Sequence, residues 1–113
     1  MAISVVFPAG ATDVTLDPLY QWDKGHILEI RVDSASPGIE VHFAYRRLDE
    51  AIVSESSVSQ GVVRVAIPDI CFEQPDTITA WVYEVNGDGG KTTRTIVIPI
   101  IPRIRPPREA MEV

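Results

Sequence analysis

Chemistry in this chain would have to rest on two histidines, one cysteine or a glycine-rich pentapeptide. Acid–base catalysis or metal binding at a histidine needs partner groups at close spacing, and no Cys/His cluster surrounds either one. His42 falls on the outward face of a predicted strand, with Glu40 on the same face. His26 follows Asp23-Lys-Gly25 and reads as a residue at the start of a strand. Cys71, set between Ile70 and Phe72, reads as a small buried hydrophobe, because a nucleophilic thiol requires an activating base and none is near. As the single cysteine it forms no intramolecular disulfide, which suits assembly in a reducing compartment. Serines are plentiful, yet no nucleophile-elbow motif frames one. Asn86-Gly-Asp-Gly-Gly90 looks like a calcium loop at first, but it lacks the alternating oxygen ligands and the distal glutamate. It reads instead as a hairpin turn whose glycines tolerate positive φ. No phosphate-binding glycine motif occurs. The sequence therefore offers no catalytic residue, no metal site and no cofactor site, and an enzyme is not expected.

The aromatic residues open a second line. Trp81 and Tyr83 share one face of a strand whose other face carries Ile78, Ala80 and Val82. That pattern fits a central strand covered on both sides. It also fits an exposed aromatic patch at Trp81 and Tyr83, serving a protein interface or stacking on sugars. Trp22, just before the Asp-Lys-Gly turn, is expected to plug one end of the fold.

The elements that must position these residues are short strands. Period-two alternation marks 26–32, where Leu28, Ile30 and Val32 share a face, and 39–45, where Ile39, Val41, Phe43 and Tyr45 do. Further strands are predicted over 3–7, 13–16, 51–54, 62–67, 77–85 and 91–101. Ser34-Ala-Ser-Pro-Gly38 and the serine-rich run reaching Gly61 are predicted turns. Pro68–Gln74 is predicted to form one helical turn with Pro68 at its start. Seven or eight short strands with turn signals between them predict an all-β fold, an antiparallel, immunoglobulin-like β-sandwich. Its expected core is Val5, Leu28, Ile30, Val32, Val41, Phe43, Val63, Val65, Ile67, Ile78, Ala80, Val82, Ile96 and Ile98. With 113 residues the chain is one domain, expected over residues 1–101. Residues 102–113 are expected to form an extended arm that leaves the sandwich, because Pro102, Pro106 and Pro107 cannot donate to a ladder.

Charge is divided unevenly. Residues 1–90 hold 5 basic and 14 acidic residues, whereas residues 91–108 hold 5 basic residues and no acid. An acidic body argues against nucleic-acid binding. The longest apolar-rich stretch falls far short of the roughly 20 residues of a membrane-spanning helix, and MAISVVFPAG lacks the features of a signal peptide. No membrane partner is expected. The basic, proline-rich arm suits protein docking, with Arg103, Ile104, Arg105, Pro106 and Pro107 as the interface residues. Arginine pairs well with carboxylates and stacks on aromatic rings.

Five stretches in order carry a resemblance: Gln21-Trp-Asp-Lys-Gly25, Val41-His-Phe-Ala44, Val65-Ala-Ile-Pro-Asp69, Ala80-Trp-Val-Tyr83 and Ile98-Pro-Ile100 with its basic exit. From about Asp13 to Pro107 the chain resembles small β-modules in tail, baseplate and head-fibre proteins of phages and prophages of Gram-positive gut bacteria. Their order and spacing resemble the N-terminal module of the baseplate upper protein family. The resemblance implies a non-enzymatic virion structural protein, assembled in the host cytoplasm. It would dock onto a capsid or a tail/baseplate complex, with other virion proteins as partners and a homo-oligomer in the particle. The chain stops at Val113, so a stand-alone accessory subunit or a fragment of a longer protein is expected. The alternative is a carbohydrate-binding or adhesion module that uses the exposed aromatics.

Overall fold

The structure is a computed structural model that describes residues 1–32, 38–46 and 48–107. Arg108, the rest of the arm beyond it, and residues 34–37 of the expected turn lie outside the described residues.

Alternation of apolar and polar residues builds eleven described strands. They are β1 (Ala2–Val5), β2 (Asp13–Thr15), β3 (Leu19–Tyr20), β4 (Ile27–Arg31), β5 (Gly38–Ala44), β6 (Ile52–Ser54), β7 (Ser56–Ser59), β8 (Val62–Ala66), β9 (Ile78–Asn86), β10 (Gly89–Ile98) and β11 (Ile100–Ile101). One sheet has the order β1-β4-β8-β7 and a second the order β2-β10-β9-β5-β6, while β11 and β3 form a two-stranded ribbon. The inner faces of the two large sheets enclose one apolar core. Every residue expected there is buried, and Ile39, Cys71, Phe72 and Ile100 join them. The predicted helical turn is a 3₁₀ turn, Asp69–Glu73, entered through Pro68. It carries the chain from β8 in one sheet to β9 in the other and lowers Cys71 and Phe72 into the core.

The fold is all-β, but its sheets are mixed rather than antiparallel. β1 runs parallel to β4, β2 to β10, and β3 to β11. The cause lies in the first twenty residues. The Ala11 N–H donates to the Pro8 carbonyl at 2.9 Å, and Gly10 takes φ +81°, so the chain reverses after β1. β1 then lies in one sheet and β2 in the other.

Four local expectations are corrected. The serine-rich run does not form a turn; it forms β7, an edge strand joined to β8 by Gln60 and Gly61 at φ 52° and 78°. Two successive positive φ values suit the tight hairpin turn whose twist matches its strands. β3 was not foreseen, since two residues carry no periodicity. The hairpin after β9 is tighter than the pentapeptide suggested, with only Gly87 and Asp88 outside the strands. The return strand breaks at Pro99, which has no N–H to donate, and resumes as β11.

Candidate functional site

The loop from β3 to β4 builds the surface that meets the arm. The Asp23 N–H donates to the Tyr20 carbonyl at 3.3 Å, closing a turn. The Asp23 carboxylate accepts from the Tyr20 N–H at 3.4 Å and lies 2.9 Å from His26 Nε2. Trp22 adopts φ +74°, a left-handed conformation that costs a bulky residue about 1–2 kcal/mol. Its N–H donates to the Phe72 carbonyl at 2.8 Å, and the Gly25 N–H donates to Asp69 at 3.2 Å, so the 3₁₀ turn holds the loop in place. Trp22 is half-buried and lines a cleft of about 100 Å³ with Asp23, Lys24, Asp69, Glu73 and Arg105.

The described part of the arm does not leave the sandwich at Pro102 as expected. Gln21 clamps it: the Gln21 amide nitrogen donates to the Glu73 carbonyl at 3.2 Å, and its oxygen accepts from the Arg103 N–H at 3.3 Å. Arg103 Nε donates to the Ile104 carbonyl at 2.9 Å. The Arg105 guanidinium lies 5.0 Å over the Trp22 ring, a contact worth about 0.5–1 kcal/mol when exposed. Ile104, between these two anchors, is 88% exposed. Tyr20 and Ile101, partners in the β3–β11 ribbon, are also exposed. Pro106 is half-buried and Pro107 exposed. The arm is held on the prolines' own terms: residues 103 and 105 touch the body, and the apolar side chain between them faces solvent.

Trp81 and Tyr83 stand on the outer face of the second sheet, both half-buried. The Tyr83 ring stacks on His42 at 4.9 Å and 23°, and His42 Nε2 lies 2.9 Å from the Glu40 carboxylate. The same ring lies across Gly90, where a Cβ would collide with it. The two aromatics thus form a partly covered stripe. Among the described residues, no group of three His, Cys, Asp or Glu side chains is placed to hold a metal ion.

Sequence reasoning missed Gln21, whose role depends on contacts with residues far along the chain. It also missed Arg94. A bulge at Thr93 sets Arg94 opposite Val82, so it faces inward. There its guanidinium lies 5.1 Å over the Phe7 ring, and Nε is buried without a hydrogen-bond partner.

The fold and this surface define an all-β module with a pinned, basic C-terminal arm. No protein-family model matches the chain, and no curated protein matches it. Among solved structures it is similar to the N-terminal domain of phage TP901-1 ORF48, at 12% identity and a TM-score of 0.48, over 88% of this chain and 94% of that one.

Proposed function

We propose that this chain is a non-enzymatic phage virion component that docks onto a capsid or a tail/baseplate complex through its C-terminal arm. The observation that carries the reading is Ile104, 88% exposed and set between two arginines that are themselves anchored. An exposed large apolar side chain held in one place suits binding, because little conformational freedom remains to be lost when a partner covers it. The five stretches that resemble phage modules supply the class of partner, other virion proteins. The aromatic stripe favours the carbohydrate reading less, since His42 occupies one face of Tyr83.

A finer description of the fold belongs to the same proposal. In an immunoglobulin-type sandwich, strands A, B, E and D form one sheet, and C, F and G the other. Taking β4, β5, β7, β8, β9 and β10 as B, C, D, E, F and G matches the order of both sheets, with β1 and β2 sharing the part of A and β6 added at the edge beyond C. The parallel pairing of β1 with β4 departs from that scheme.

Particle attachment tests the function. A tagged full-length chain should sediment with particles made by the strain that encodes it. A chain ending at Ile101 should stay in the unattached fraction while keeping its circular dichroism spectrum. Equal attachment of the two would remove the arm from the mechanism. A full-length chain that never sediments with particles would end the virion assignment.

A further inference from the structure

We propose that a second copy of this chain is a partner of the arm, and that copies associate head to tail. The proposal rests on the docking reading above and names an occupant for it. Its head is the Ile104 knob, flanked by Arg103 and Arg105 and continued by exposed Tyr20 and Ile101. Its tail is a groove where the chain crosses from β6 in one sheet to β7 in the other. Val53, with the edge of the otherwise buried Ile39, gives this groove an apolar lining; Glu55 and Glu40, the latter also 2.9 Å from His42 Nε2, supply carboxylates; and its volume is about 400 Å³. Val53 is 56% exposed, and both glutamates are exposed to solvent. An isoleucine flanked by two arginines matches in chemistry a groove that combines an apolar lining with two carboxylates. Net charge agrees at larger scale, since the acidic residues crowd the first ninety positions and the arm is basic.

Geometry makes the contact intermolecular. The arm is pinned beside the 3₁₀ turn, at the end of β9 where Ile78 pairs with Ile98. The groove lies toward the other end of β9, where Ile39 pairs with Glu84. At about 3.3 Å per residue, those positions on β9 are roughly 20 Å apart. Copies joined head to tail, the knob of one in the groove of the next, make a heterologous contact that propagates into a ring or a filament.

Sedimentation velocity on the full chain tests this, over about 10 μM to about 500 μM protein at low salt. The wild type should associate as its concentration rises. Ile104→Asp destroys the knob and Glu55→Lys opposes the groove. Both sites are exposed, and circular dichroism verifies that the fold is kept. Each variant alone should remain monomeric where the wild type associates, a weakening of at least about tenfold. An equimolar mixture should form one-to-one dimers and nothing larger, since only one intact knob and one intact groove remain to meet. A wild type that stays monomeric throughout, variants that associate as the wild type does, or a mixture that stays monomeric would each overturn the proposal. None of these results bears on particle attachment, which stands or falls by its own experiment.

Discussion

At the scale of single residues, Cys71 shows how burial decides chemistry. The sequence placed it among hydrophobes, and the structure buries it completely in the core. Loss of water raises its pKa from the ordinary 9.0 to about 11, because the thiolate loses more hydration than the thiol. The native thiol should therefore be inert toward a disulfide reagent at pH 8 and react only as fast as the protein opens. Burst labelling at full stoichiometry would contradict this. The same shift has a consequence for stability. The folded state keeps its proton to higher pH than the unfolded chain, so this contribution is complete below about pH 9 and is lost as pH rises through about 11. Cys71 was legible as a small residue in an apolar stretch, although only Phe72 of its two neighbours shares its burial and Ile70 faces solvent. Trp22 was not. Its positive φ is a position usually given to glycine or asparagine; the Phe72 carbonyl fixes its backbone there, and the Arg105 guanidinium is what meets the indole ring.

At the scale of elements, the β9–β10 hairpin carries a test of how the outer face is built. Tyr83 lies across Gly90 and stacks on His42. Gly90→Ala should displace the ring and cost about 1 kcal/mol, since only the outer end of a half-buried ring must move, although alanine alone suits a strand no worse than glycine. In a Tyr83→Ala background the same substitution should cost almost nothing, because the collision is gone. A double-mutant cycle in urea reads the difference, and equal costs in both backgrounds would mean the ring does not rest on Gly90. What could be read of the elements follows from the same physics. Alternation reports which side of a strand is apolar, so the inward faces of β4, β5, β8 and β9 were legible, as were Ile96 and Ile98 on β10, whereas the bulge at Thr93 hid the inward Arg94. Alternation reports neither partner nor direction. The parallel pairing of β2 with β10 was therefore invisible, as was β7, an edge strand of serines that its neighbour β8 stabilises. The arm was legible as basic and proline-rich. Its attachment was not, since Gln21 meets Arg103 across most of the chain.

At the scale of the whole molecule, the sheets close by joining residues from opposite ends of the sequence. Val14 on β2 pairs in parallel with Ile96 on β10, and Leu19 on β3 with Ile100 on β11. By contrast β9 and β10 are joined by a two-residue turn, and β5 lies antiparallel against β9. Bringing distant segments together costs chain entropy before any contact compensates it, and that cost grows with the logarithm of loop length. A fold dominated by such pairings should refold in about milliseconds to seconds. The antiparallel block of β5, β9 and β10 should form first, because its turn is local and Val41, Phe43, Ala80 and Val82 share one buried face. β2 should add afterwards, when its landing strand already exists. Val82→Ala, inside that block, should then slow refolding. Val14→Ala, on the late strand, should leave refolding nearly unchanged and mainly speed unfolding. Stopped-flow chevrons of the two variants separate these effects on the two limbs. The reverse partition, with Val14→Ala slowing refolding and Val82→Ala sparing it, would show instead that the chain's two ends meet before its central hairpin forms.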